Sequence, residues 1–150
     1  METFAKAFPF MVNNFGLLLE KTGEHVYVSL IALAISVLIG LPVGLWLGHI
    51  HKGEFLAVSL TNIGRALPSL ALIAIFIGLV GIGLVNVTIA LVLLAVPPIL
   101  SYAFEALNSI DRSITKAARG MGMSPLQVLW NVELPLGLPT IFAGLRTSTV

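Results

Sequence analysis

Two stretches of this chain contain no charged side chain at all, and they leave few ways for it to fold. Between His25 and His49 lie 23 such residues, which as a helix rise about 34 Å against roughly 30 Å of bilayer hydrocarbon. Between Arg65 and Glu105 lie 39 more, about 58 Å as one straight helix and near twice that thickness. The first stretch reads as a transmembrane span near 26–48. The second must fold back once, and its only central cluster of breakers is Gly81-Ile82-Gly83-Leu84-Val85-Asn86, where glycines and an asparagine suit a tight turn. This predicts spans near 66–81 and 85–104. A fourth apolar run starts after Leu134 and interrupts itself only at Arg146. It reads as an incomplete span over 136–150, truncated at the C-terminus.

Composition supports one α-helical membrane domain over residues 1–150. Hydrophobic residues make up 57% and charged residues 10%, where soluble domains carry roughly 25% charged. The net charge of +1 gives no footprint for nucleic acid. With no cysteine, disulfides, thiolate nucleophiles and sulfur-ligated zinc are excluded. The first 25 residues carry Glu2, Lys6, Glu20, Lys21 and Glu24, unlike a signal peptide. Phe4, Phe8, Phe10, Met11, Phe15, Leu17, Leu18 and Leu19 suit either an external segment lying in the interface or a frayed terminus.

Loop charges give an orientation. The segments 49–65 and 105–133 fall on one side and hold Lys52, Arg65, Arg112, Lys116 and Arg119, whereas the other side has Lys6 and Lys21. The excess of basic residues makes the first side cytoplasmic and the N-terminus external.

Within the spans, Ala32, Ser36, Gly40, Gly44 and Gly48 form an i, i+4 stripe of small residues, which lets another helix approach closely. Pro42 predicts a kink there. No Asp, Glu, Lys, Arg or His lies inside the three complete spans, which argues against proton- or ion-coupled transport. Ser29, Ser36, Ser69, Asn86, Thr88, Ser101 and Tyr102 remain, better read as helix-to-helix bonds than as a substrate path. Trp46, Phe76, Tyr102 and Phe104 are too scattered in sequence to define an aromatic cage for a cation. His25, His49 and His51 read as interfacial caps rather than metal ligands. No nucleotide-binding motif is present, so neither catalysis nor a cofactor is expected on this chain.

The pattern changes between residues 105 and 135. Ile110, Ile114, Ala117, Ala118 and Met121 recur at helical spacing, ending at Gly120 or Gly122. Ser124-Pro125-Leu126-Gln127 then supplies an N-cap, a proline at the first helical position and a capping-box glutamine. That second helix is expected to stop by Leu134-Pro135. Met121, Met123, Leu126, Leu129, Trp130 and Val132 are too apolar for a solvated connector. They pack on the chain's own helices or fit a partner's groove.

Lys116-Ala117-Ala118, Gly122, Val132 and Leu134-Pro135 are spaced as in the EAA-x3-G-x9-I-x-LP signature of permease subunits of binding-protein-dependent ABC importers. Lys116 stands where that signature has Glu, and Val132 where it has Ile. The stretches Glu20 to His25, Arg65 to Ala71 and Leu136 to Thr147 resemble the osmoprotectant branch of the same family, so the likeness covers nearly the whole chain. It implies a MetI-like helical bundle in a bacterial plasma membrane and import of glycine betaine, choline or carnitine. It implies as partners a second permease subunit, an external binding protein and ATPase subunits that carry ATP and Mg. It also implies that residues 116–135, with Gly120, Ser124 and Pro125, form the loop coupled to the ATPase. A permease for another solute such as an amino acid, or a non-transporting scaffold that docks an ATPase, stays open.

Overall fold

A computed structural model describes residues 9–66 and 68–149. Among them there is no strand. The helices are α1 (Phe15–His49), α2 (Glu54–Ala66), α3 (Ser69–Val80), α4 (Leu84–Asn108), α5 (Arg112–Gly120), α6 (Pro125–Val128) and α7 (Leu134–Thr149), with a π-helical turn at Leu129–Glu133. Three stretches are long and apolar enough to cross a membrane: α1, α4, and Pro125–Thr149 taken as one rod.

The register of the packing sets the topology. Gly40 of α1 lies against Val96 and Ile99 of α4, Gly44 against Leu100 and Ala103, and Gly48 against Phe104 and Leu107. Both series rise together, so α1 and α4 run parallel. The return is made by α2 and α3 along α4: Ala57 clusters with Leu100 and Phe104 at one end, and Asn86 Nδ2 donates to the Ile73 carbonyl at the other. In α7, Gly137 meets Ala106 and Gly144 meets Tyr102, so α7 is antiparallel to α4. The ends of α1 and α4 therefore share one side with α5 and α6, whereas Arg65, counted with the loop charges of that side, falls at the end of α2 along the return path.

The second apolar stretch differs from the expectation. A turn does form at Gly81–Gly83, with Gly81 at φ 86°, but the segment 49–65 is mostly helical, and α3 has 12 residues. Those rise about 18 Å, short of the hydrocarbon thickness. The return path is thus two helices, α2 and α3, with a break at Pro68, whose ψ of 122° is extended and not helical. Among the described side chains of α2, Ala57 is the buried one, and a small residue followed four later by Thr61 does not announce an apolar stripe.

Two further boundaries move. Residues 9–13 are helical and Asn14 is a turn; helix α1 then begins at Phe15, so residues 15–25 are continuous as helix with the first span. Residues 1–8 lie outside the described ones. The helix begun at Pro125 does not stop at Leu134-Pro135 but passes through the π turn into α7. Pro135 directly follows the π turn inside this rod, where the i→i−4 ladder is already interrupted, so a missing N–H is accommodated.

Candidate functional site

The helices meet most closely at the α1–α4 seam. A Cβ on Gly40 would stand 3.1 Å from the Val96 carbonyl oxygen, and one on Gly48 2.8 Å from that of Phe104. At Gly44 the same atom would overlap the Leu100 carbonyl. Ala32 and Ser36 are buried on the same stripe of α1. Backbone cannot give way as a flexible side chain can, so glycine here permits the approach.

The polar residues of the spans are used in packing. Ser36 Oγ donates to the Ala32 carbonyl within α1, 2.7 Å away, and Thr88 bonds the Leu84 carbonyl within α4. Ser101 Oγ reaches the Ala57 carbonyl across to α2 and also meets the Thr61 hydroxyl. Tyr102 and Phe104 line one cleft of about 350 Å³ between α2 and α4, together with Glu54 and Glu105. Trp46 and Phe76 are not part of it.

Beyond α4, the chain builds a rigid two-helix element from local chemistry. Asp111 caps α5, its Oδ1 accepting from the Ser113 N–H at 2.8 Å. That bond holds its carboxyl below the usual carboxylate range, because a donated hydrogen bond favours the ionised form. At the other end, the Gly122 N–H donates to the Arg119 carbonyl and the Met123 N–H to the Ala118 carbonyl. With Gly122 at φ 89°, this is the Schellman arrangement that terminates a helix on a left-handed residue. Nothing lies within 4 Å of a Cβ on Gly122, so conformation rather than space selects glycine. Gly120 is the last residue of α5 and needs no such backbone.

Helix α6 starts with the full capping box. The Gln127 N–H donates to Ser124 Oγ at 3.4 Å, while Gln127 Oε1 accepts from the Ser124 N–H at 2.8 Å. Pro125 occupies the first turn. These reciprocal bonds satisfy donors that a free helix end leaves unpaired.

The inward face of α5 is Thr115 and Ala118, so Ile114, Ala117 and Met121 of the expected apolar stripe stay exposed. Lys116 is exposed beside them, as are Gly120, Gly122, Ser124 and Pro125. Val128 is buried, Leu129, Val132 and Leu134 are half-buried, and Pro135 is exposed. Met121 is 73% exposed and Leu126 64%. The element therefore ends in an apolar tip that the described residues do not cover, on the side where α1 and α4 end.

Sequence reasoning missed one contact at the base of this element. His49, at the end of α1, lies with Nδ1 2.5 Å from Glu133 Oε2 in the π turn. His51 Nδ1 instead faces Asn108 Oδ1 at 3.3 Å. The two histidines thus serve different partners, and neither is a simple interfacial cap. Among the described residues, no three His, Cys, Asp or Glu groups converge as metal ligands do.

Comparison with known proteins adds the lineage. The family described as the inner membrane component of binding-protein-dependent transport systems matches residues 36–150. A glycine betaine/carnitine/choline transport system permease protein of Bacillus subtilis is 39% identical over 141 residues, covering 94% of this chain and 65% of the relative. A choline transport system permease protein of the same organism is 40% identical over the same shares. A glycine betaine/proline betaine transport system permease protein of Salmonella typhimurium is 34% identical over 119 residues, 79% of this chain and 34% of the relative. The chain thus spans about two-thirds of the length of the two Bacillus relatives.

Proposed function

This chain belongs to the family of binding-protein-dependent transport system inner membrane components, and on that premise we propose that it is a permease subunit of an ATP-driven importer for quaternary ammonium osmoprotectants. It is a multi-pass membrane protein of a permease family. The substrate class follows the relatives' names, which specify glycine betaine, carnitine and choline. In this reading the chain sits in a bacterial inner membrane with its N-terminus outside. A second permease subunit completes the path, an external binding protein delivers and selects the solute, and ATP with Mg is hydrolysed on a separate ATPase subunit.

The observation that carries the coupling role is the doubly capped α5–α6 element with its exposed Met121 and Leu126. A short helix pair with fixed ends moves as a body, and an uncovered methionine and leucine suit a groove that changes shape with nucleotide state. Motion of the ATPase would reach the membrane through the π turn and α7.

The absence of native cysteine makes the test direct. Met121→Cys, which disturbs neither cap, is expressed in cells with the binding protein, the second permease and the ATPase; uptake is read in the cells and cross-linking in inside-out vesicles prepared from them. The expected results are ATP-driven choline uptake and a specific thiol cross-link to the ATPase. An accessible thiol that gives no adduct in a transporting complex would remove the coupling assignment. Absence of ATP-driven uptake of any of the three solutes would remove the transport assignment.

A further inference from the structure

We propose that Glu133 is a positioning residue that, with His49, ties the base of the α5–α6 element to the end of α1, so that displacement of the element is delivered to the α1–α4 pair. The inference rests on the transport reading above and names the link through which it works.

Glu133 is set in an apolar surround. Its side chain is 1% exposed, and the neighbouring Leu129 and Leu134 pack with Leu41 and Leu45 of α1 against Ala106, Leu107 and Ile141. One carboxylate oxygen meets His49, 84 residues away in the chain. The other, Oε1, is buried without a hydrogen-bond partner among the described residues. Among the described residues the ion pairs of Lys21 with Glu20 and with Glu24 are local and exposed.

Such a group is a poor device for stability. A buried carboxylate with an unsatisfied oxygen forfeits solvation that an aliphatic side chain would never need, and apolar replacements of buried ion pairs are often at least as stable. What the pair adds is direction. Apolar burial is non-directional, whereas a hydrogen bond is set by the distance and angle between particular atoms.

The backbone changes register at this contact. The π turn acts as one extra residue in the rod from Pro125 to Thr149, and an uninterrupted α-helix would carry position 133 about 100° around its axis relative to α6. The same turn is where the element joins α7, so a load applied at Met121 or Leu126 meets the His49 contact before it enters that helix.

The decisive experiment uses the complete transporter in proteoliposomes and reads ATP hydrolysed per choline imported. His49→Leu/Glu133→Leu removes both polar partners and leaves no unpaired buried charge, so it assembles. It is expected to bind and fire the ATPase while raising that ratio about tenfold, within the range of ordinary inter-site coupling. Glu133→Gln, which keeps an oxygen for the histidine N–H, is expected to stay near the wild-type ratio. A merely structural role would lower the amount of assembled transporter and leave the ratio alone. A double variant with the wild-type ratio, or a Gln variant as uncoupled as the double one, overturns the inference while wild-type transport stands. A wild-type complex that imports none of the three solutes overturns the transport reading and this inference with it.

Discussion

Gly44 and Ala103 face each other across the α1–α4 seam so closely that a Cβ on the glycine would stand 2.7 Å from that of the alanine. The Leu100 carbonyl lies in the same gap, so relief requires the helices to part. Gly44→Ala is expected to destabilise the chain by about 1–3 kcal/mol, as overpacking of a tight interior does. Gly23→Ala, with nothing within 4 Å of the new methyl, should gain up to about 1 kcal/mol from helix propensity alone. Thermal unfolding of both variants in detergent, side by side, checks this; equal shifts would mean that the seam tolerates a methyl.

Gly122 is required for its backbone, and that gives a graded series. Proline cannot adopt φ 89°, alanine adopts it at a cost of roughly 1–2 kcal/mol, and asparagine tolerates it better than other side chains. Transport should therefore be abolished in Gly122→Pro, reduced in Gly122→Ala and best retained in Gly122→Asn. Choline uptake normalised to membrane-inserted protein gives the order. Near-wild-type uptake by the proline variant would show that the orientation of α6 is irrelevant.

Legibility in the sequence followed the range of the interaction. Ser124, Pro125 and Gln127 interact within one turn, so four letters specify the cap that the structure contains. Asn86 and Ser101 belong to helix contacts, as their lone polarity in apolar runs suggested. Helix α2 was hidden because its buried face, Ala57 and the half-buried Thr61, is defined by what α4 presents to it. The stop expected at Leu134-Pro135 was a sound local rule overridden by a π turn whose register depends on His49 and the surrounding leucines. A bond spanning 84 residues leaves no spacing signal at either end.

Asp111 makes the start of α5 acid-sensitive. Its carboxyl is held below the usual range by the Ser113 N–H, so the ionised cap favours the folded helix. That contribution is complete above the unfolded value, about 3.9 for an aspartate, and is lost as pH falls through the lower folded value. The Ser113 amide resonance should titrate with its midpoint below that of a free aspartate, and the inflection should vanish in Asp111→Asn. An unshifted midpoint would mean that the cap is not formed in solution.

Met121 and Leu126 expose an apolar tip whose burial is worth the most where it is complete. Replacing each by Asp places a charge where a partner's groove must be dry, and an unpaired buried charge costs several kcal/mol. Met121→Asp/Leu126→Asp is therefore expected to weaken ATPase association by about 100-fold or more, a loss of at least about 2.7 kcal/mol. Both residues are already exposed, so insertion and helix packing should be untouched, and co-purification reads binding alone. Phe55→Asp, at the start of α2 beside the end of α1 and 81% accessible, controls for loss of surface apolarity away from the tip. If the control weakens binding as much as the double variant does, association runs through the general apolar surface and not through the α5–α6 tip.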